Sequence, residues 1–365
     1  MEETLSSLLA IGLAPLGCEI PYFTDEPKLP SYFIPKPESG PYLSGEPYGL
    51  SLAEDAPSAR AKALAEFYER LCLSNAQVGD RPARWTPQSG RIDPANLAEL
   101  SAKRDPVRLK TLRESQYRWI GAVVAQTGRK TAVPAQAVIP GFPRDGEAQI
   151  VEAVGSSGAA LGALGTDGAF ERGFFEVVER HAVASYSFRD RLRRRVVGLP
   201  PSVLEIEDLL RRYRLEPYVF RLSNRFAAPC VFVVLTDGSG VAPALSISSR
   251  AAPTFEDAIR TGLLEALERR RPARVEQTTL KPGDRRVYPW RAIEDLRELE
   301  PLLAAAEPED FVTLPAEPVS AGGVMAKLTQ NGEDVLRVDL TLPEVAAAGF
   351  EAVKVIAPSL GPLPA

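Results

Sequence analysis

Three short stretches constrain this chain more than any other feature. Residues 63–70 read "ALAEFYER", residues 173–180 "GFFEVVER" and residues 262–269 "GLLEALER". In each, Glu-x-x-Glu-Arg follows apolar or small residues in a helical pattern. Positions i and i+3 share one helical face, so both glutamates of a copy project together. The flanking Phe, Leu and Val put those carboxylates beside core-facing positions, where unpaired charge is costly and calls for partners or a metal. For one copy alone, the adjacent arginine and solvent suffice, since surface charge pairs are common and contribute little. Three copies point instead to a shared site built from Glu66, Glu69 and Arg70, from Glu176, Glu179 and Arg180, and from Glu265, Glu268 and Arg269. The copies lie 110 and 89 residues apart, beyond solenoid periods, so stacked repeats are not expected.

The texture around these helices is α/β. The first helix is expected over about 56–75, the second over about 168–188 and the third over about 254–271 with Thr254 as its N-cap. "WIGAVVAQTGRKTAVPAQAVIP" holds two apolar runs split by a Thr-Gly turn. "SVLEIEDLLRRYRL" reads as a helix and "PYVFRLS" as a strand, and "PCVFVVLTDGSGVAPALSISS" is a hairpin across Asp-Gly-Ser-Gly. "FEAVKVIAP" is a late strand. The Pro- and Gly-rich stretch 21–48, with interleaved aromatics, predicts an extended segment packed on the surface rather than a helix or central strand. Residues 1–45 therefore form an N-terminal Pro-rich segment and 46–365 the main domain.

Composition limits the chemistry. A net charge of −5 gives no general affinity for nucleic acid. Three widely spaced cysteines (Cys18, Cys72, Cys230) argue against a disulfide framework or zinc site and suit a reducing cytosol. The acidic start, Glu2 and Glu3, does not suit a secretion signal, and no apolar run reaches the ~18 residues of a membrane span, so a cytoplasmic location is expected. There is no Gly-x-x-x-x-Gly-Lys-Ser/Thr phosphate loop. His181 is the only histidine, which excludes a multi-histidine metal site. With no triad partner or metal pattern around it, His181 reads as a helix-surface residue. Carboxylate oxygens suit Mg²⁺, acidic helices converging on one cleft would hold such ions against a nucleotide triphosphate, and the arginines would meet phosphate oxygens or lock the glutamates.

Taken in order, the three acidic helices, "TGRKTAVPAQAV" before the second, and the closing "GFEAVKVIAPSLGPLPA" resemble a YcaO-domain protein over roughly residues 45–365. The resemblance implies mixed sheets, with the three Glu-x-x-Glu-Arg helices around one nucleotide cleft. It implies ATP and Mg²⁺ as cofactors, with Glu66, Glu69, Glu176, Glu179 and Glu268 on the metal. Arg70, Arg180, Glu265 and Arg270 complete the nucleotide contacts, Arg270 matching the family's Glu-x-x-Gln-x-Arg. The implied activity is ATP-dependent activation of backbone amides in a ribosomally made precursor peptide. In the azoline case a Cys, Ser or Thr side chain attacks the preceding carbonyl, the oxyanion takes the γ-phosphoryl group, and loss of phosphate leaves the ring. Such chemistry needs positioning and charge neutralisation more than a protein nucleophile. Thioamide or amidine formation are related outcomes. The implied partners are the precursor peptide, a separate leader-binding or E1-like protein that presents it, and a flavin dehydrogenase, in an oligomer or multi-protein complex.

Tails of this family reach the active site, and here Pro362, Pro364 and the free carboxylate of Ala365 would do so, with two prolines lowering the entropy lost on ordering. A frayed terminus is the plain alternative. Where relatives place Ser, Asn and a further Glu for the nucleotide, this chain carries Leu161, Leu164 and Gly168, or Ala160, Ala163 and Asp167 with one insertion. Glu268 replaces the family's Gln, and His181 its Asp. These departures leave two alternatives: a YcaO-like scaffold without ATP turnover that docks a precursor or partner, and a plain nucleotide- or metal-binding regulator. The run "FRDRLRRR" (188–195) is either a solvated helix end or a basic rim for ATP or an acidic leader peptide.

Overall fold

The structure is a computed structural model that describes residues 2–38, 47–98, 102–151, 157–239, 243–279 and 299–360. Four sheets organise it. A small antiparallel sheet runs β1 (Cys18–Glu19), β2 (Ser31–Ile34), β3 (Gly49–Leu52), and a two-stranded ribbon pairs β4 (Ala83–Arg84) with β5 (Gln116–Tyr117). The first large sheet uses β6 (Trp119–Val124), β7 (Lys130–Pro134), β8 (Ala159–Ala163), β14 (Leu336–Asp339) and β15 (Phe350–Ile356), in the order β7-β6-β14-β15-β8. The second comprises β9 (Arg194–Val197), β10 (Leu215–Arg221), β11 (Cys230–Asp237), β12 (Leu245–Ala251) and β13 (Glu307–Asp310), in the order β12-β11-β10-β9-β13. Its β9–β13 pair is parallel and its other pairs are antiparallel, so the sheet is mixed.

The second sheet is covered on both faces. Cys230, Phe232 and Val234 pack with Phe174 and Val178 of the second acidic helix (Gly168–Ala184). Val231, Val233 and Leu235 alternate to the other face, against Ile259, Leu263 and Leu267 of the third (Phe255–Thr279). Two-sided burial is why β11 reads as an unbroken apolar run instead of alternating. The first acidic helix (Ala56–Ser74) lays Leu64, Phe67 and Leu71 on Ile120, Val124, Leu336 and Val338 of the first large sheet.

The three helices are linked in a ring by the strands they share. The first touches β3 and also β8 and β15, the second touches β8, β15 and β12, and the third touches β12, β11 and β3. Gly49 permits one of these approaches, since a Cβ there would lie 1.9 Å from the Ala63 carbonyl oxygen. Helix starts follow their caps: Asp55 accepts from the Ser58 N–H, and Thr254 Oγ1 from the Asp257 N–H at 3.1 Å.

Some expectations shift. The third helix runs on through Pro272 to Thr279, past the expected end at about 271. The second ends at Ala184, and the arginine run continues as a short helix (Phe188–Arg191) and then β9, rather than as one helix end. The Pro-rich segment contributes β1 and β2, and β2 pairs with β3, so the small sheet spans the expected boundary at residue 45. An N-terminal helix, Glu2–Ala10, adds Leu8 to the core beneath the first acidic helix. Among the described residues no helix is long and apolar enough to cross a membrane.

Candidate active site

The three acidic motifs repeat one arrangement. In each, the first glutamate pairs with the arginine four residues on: Glu66–Arg70 at 2.6 Å, Glu176–Arg180 at 3.4 Å and Glu265–Arg269 at 2.5 Å. Two of these first glutamates also accept a backbone N–H. Leu50 donates to Glu66 Oε2 at 2.6 Å and Gly158 to Glu176 Oε2 at 3.0 Å. Gly158 has φ +85°, and its carbonyl oxygen would lie 2.5 Å from a Cβ on Gly173, so two glycines let the second helix approach this donor.

The second glutamates have fewer direct partners. Glu268 Oε2 accepts the Leu52 N–H at 2.9 Å, and buried Glu179 accepts the Ser249 hydroxyl at 2.6 Å with Arg180 at 3.9 Å. Leu50 and Leu52 present their N–H groups on the unpaired edge of β3, because β3 is outermost and its Ala53 N–H turns to Pro30. One strand edge thus holds a carboxylate from the first helix and another from the third. Arg70 stacks on the Tyr48 ring at 3.8 Å and donates to its carbonyl oxygen, which fixes the guanidinium beside Glu66.

The second glutamates also carry the clearest electrostatic signature. Burial raises Glu69 well above the ordinary range, and Glu176 and Glu66 push further. Burial lifts Glu179 to about 7, with Glu265 and Glu176 adding and Arg180 and Arg250 opposing. Glu268 is pushed to about 8 by burial, then by Glu66 and Glu265. Burial also raises Glu66 against the pull of Arg70, with contributions from Glu265 and Glu176. Carboxylates from all three helices therefore feel one another, and burial keeps their charged forms costly despite the nearby cations.

Hard oxygen donors crowded in this way fit Mg²⁺ in kind and in charge. In the geometry seen here Glu66, Glu176, Glu265 and Glu268 are turned to their own arginines or to backbone donors, and Glu179 to the Ser249 hydroxyl. Among the described residues no group of three His, Cys, Asp or Glu side chains is gathered closely enough to hold a metal ion. Occupation by Mg²⁺ would require those carboxylates to rotate toward one another.

Several side chains here were not foreseen from sequence. Lys354 on β15 is 3% exposed and faces Glu176 and Glu69; burial lowers its ammonium to about 8. Arg172 donates to the Leu161 carbonyl and lies toward Glu69. At Arg250 on β12, burial opposes the charge, and Glu179, Glu265 and Glu176 outweigh it. Arg270, expected on the nucleotide, is instead buried among Glu26 and Asp237, because on the helix it turns away from the face bearing Glu265 and Glu268. His181 is half-buried rather than a surface residue: its Nδ1 lies 3.2 Å from the Leu360 carbonyl oxygen, and burial lowers its pKa. Leu161 is buried on β8, Leu164 is exposed just beyond it, and Gly168 begins the second helix. Pro362, Pro364 and Ala365 lie outside the described residues.

Acidic helices meeting over two sheets define an α/β fold with one shared carboxylate cluster. The family described as YcaO cyclodehydratase, ATP- and Mg²⁺-binding, matches residues 53–361, and the chain belongs to it. No curated protein sequence matches the chain. Among solved structures it is similar to a heterocyclase in complex with substrate and cofactor (TM-score 0.76, 18% identity, 98% of this chain and 52% of that one). The chain thus spans about half the length of that heterocyclase. It is also similar to YcaO from Methanopyrus kandleri bound with AMPPCP and Mg²⁺ (TM-score 0.67, 18% identity, 97% and 89%). The E. coli microcin synthetase McbBCD complex is a third (TM-score 0.68, 12% identity, 94% and 87%). At these identities the likeness carries the fold.

Proposed function

We propose that this protein uses ATP and Mg²⁺ to activate backbone amides of a ribosomally made precursor peptide, cyclodehydrating Cys, Ser or Thr to thiazoline or oxazoline. The observation that carries this reading is the electrostatic meeting of the three Glu-x-x-Glu-Arg helices in a chain of the YcaO family. Bound Mg²⁺ would supply neutralisation of triphosphate charge. Glu66, Glu69, Glu176, Glu179 and Glu268 are the residues proposed to hold it, and Arg70, Arg180 and Arg269 to orient those carboxylates or meet phosphate oxygens. Cys72 is buried with its thiol pushed up to about 12, and burial raises the Cys230 thiol well above its ordinary value, so neither is a ready nucleophile. That suits a reaction whose nucleophile belongs to the peptide.

The proposed partners are a leader-binding protein and, for oxidation to azoles, a flavin dehydrogenase, with the cytoplasm as the location. Purified protein with leader-bearing peptide, ATP and Mg²⁺ should release phosphate and remove one water per ring by mass. Exchange of oxygen for sulfur or nitrogen would mark a thioamide or amidine product. A second reading, a docking scaffold without turnover, is favoured by the aliphatic Leu161 and Leu164 and by Gly168 where relatives carry polar nucleotide contacts. Absence of Mg²⁺-dependent ATP binding would select it.

A further inference from the structure

β12 is the outermost strand of the second large sheet, and it touches both the second and the third acidic helix. Its register shows which backbone groups the outer edge presents. At the two ends of the β11–β12 ladder Asp237 donates to the Ala244 carbonyl at 2.8 Å and Ala252 to the Pro229 carbonyl at 3.1 Å. Even-numbered residues therefore face β11, and Leu245, Ile247, Ser249 and Ala251 turn N–H and C=O outward. Among the described residues none accepts from those four outward N–H groups. Arg269 Nη1 reaches the Ile247 carbonyl at 3.5 Å, a contact long enough for a better donor to replace. Helices wall the lane on both faces of the sheet. Ser246 and Ser248 donate to the Ala266 and Gly262 carbonyls of the third helix, and Ser249 donates to Glu179 of the second at 2.6 Å. The other edges at the site carry closer caps: Glu66 and Glu268 on the Leu50 and Leu52 N–H groups of β3, and Arg172 on the Leu161 carbonyl of β8.

We propose that the outer edge of β12 is the docking lane of the peptide substrate, which adds as an extended strand and is thereby led past Glu179 and Arg269 of the acidic motifs. Outward N–H and C=O groups at every second residue match the repeat of one class of ligand, an extended polypeptide backbone. Main-chain pairing tolerates most side chains, which suits an enzyme that acts on backbone amides. The strand, Leu-Ser-Ile-Ser-Ser-Arg-Ala, also has no proline or lysine of the kind that blocks such edges. The choice of a peptide as occupant rests on the function proposed above; the open edge does not.

The probe is a short peptide of alternating Val and Ser, blocked at both ends, added in excess to the full chain with Mg²⁺ and no ATP. Hydrogen exchange resolved to single amides should slow at Ile247 and Ser249 by at least about tenfold. Ser246, Ser248 and Arg250 should not change, because β11 already holds them. A copy of the peptide N-methylated at every residue cannot donate to that edge, and by fluorescence anisotropy it should bind at least about tenfold more weakly. Ile247→Pro removes one outward donor and leaves the β11 ladder intact, so it should weaken binding of the unmethylated peptide, whereas Ile247→Val should bind as wild type. Should Ile247→Pro fail to fold, the exchange pattern and the methylated peptide decide in the wild-type chain. Equal affinity for the two peptides, or no slowing at Ile247 and Ser249, overturns the proposal. Protection that follows protein concentration instead of peptide would give the edge to a second copy and overturns it as well. Product formation is assayed separately with ATP: slowing without ring formation sinks only the azoline reading, and ring formation without slowing sinks only the docking lane.

Discussion

The third acidic helix carries two charge networks less than a turn apart, and they differ in balance. At its upstream end Glu265 and Glu268 join the carboxylates of the other two helices. Immediately downstream, Arg270, Arg271 and Arg274 are clasped by Glu26, Asp237 and Asp25. The downstream set matches three cations to three carboxylates, with contacts of 2.6 Å for Arg270–Glu26 and 2.8 Å for Arg274–Asp25. Tyr22 and Phe23 also stack near Arg271 and Arg274, so the network fastens the Pro-rich segment to the helix. Upstream, buried Glu179 meets Arg180 only at 3.9 Å, half-buried Glu69 and Glu268 have looser cation partners, and protonation of all three is pushed upward. Burial is common to both networks. Carboxylates held loosely by their cations, with raised pKa values, are what separate a candidate ligand site from a structural clasp.

Breaking the clasp should give the largest effect. Arg270→Met or Glu26→Gln leaves a buried partner uncompensated, which costs about 3–5 kcal/mol. Urea denaturation reads this directly. A loss no larger than that of the site variants below would erase the contrast between the two networks.

The acidic cluster should respond in the opposite sense. Glu268→Gln removes a charge that the fold disfavours, so thermal stability near pH 8 should rise or hold. Nucleotide affinity in Mg²⁺ should fall by at least about tenfold, or ~1.4 kcal/mol. Calorimetry with and without a chelator measures both aspects. A variant that loses stability while keeping Mg²⁺-dependent affinity would place Glu268 among the structural charges.

A smaller effect concerns pH. Glu179 and Glu268 titrate in the folded protein near 7 and 8, above their unfolded range. Raised carboxyl values mean that the folded state binds more protons, so stability falls as pH rises from about 5 to about 8 and is recovered on acidification. Lys354, lowered to about 8, adds no slope below that value because it is protonated in both states there. Melting temperatures should therefore drop through this window without metal. Saturating Mg²⁺ should raise them more at the alkaline end, by mass action on the ionised form. A flat profile in the chelated protein would mean that the cluster is already balanced.

The helices and most strands could be read from sequence because their signals are local. Thr254 caps where a cap is expected, the Thr-Gly turn closes β6 to β7, and the β11–β12 hairpin pairs as its composition dictates. All six glutamates at helical spacing enter one another's fields, which periodicity and the family resemblance both suggested. Other features were hidden because they depend on long-range proximity. Lys354 reads as an ordinary residue within an apolar strand until β15 is placed between two acidic helices. Arg270 follows the motif Glu-x-x-Glu-x-Arg, yet its direction is set by the helical turn, by Glu26, 244 positions upstream, and by Asp237. The Pro-rich segment concealed β2, whose pairing with β3 no local pattern announces.

The arginine run offers the smallest effect and the last test of charge balance, now at the surface. Its residues divide. Arg191 donates to the Val183 carbonyl and lies over Phe232, and Arg195 lies over Tyr218, so both are held by packing. Arg189, Arg193 and Arg194 are exposed, with only a 3.9 Å approach of Arg193 to Asp190. Exposed charges contribute little to folding, so replacing these three with serine should change stability by no more than about 0.5 kcal/mol. An attractive rim would show itself differently, through the rate and salt dependence of association. Fluorescence anisotropy with an acidic leader peptide should then give weaker binding for the triple variant at low salt, converging with wild type as salt rises. Equal salt slopes would assign the run to ordinary solvated surface, leaving recognition of the peptide to the partner protein.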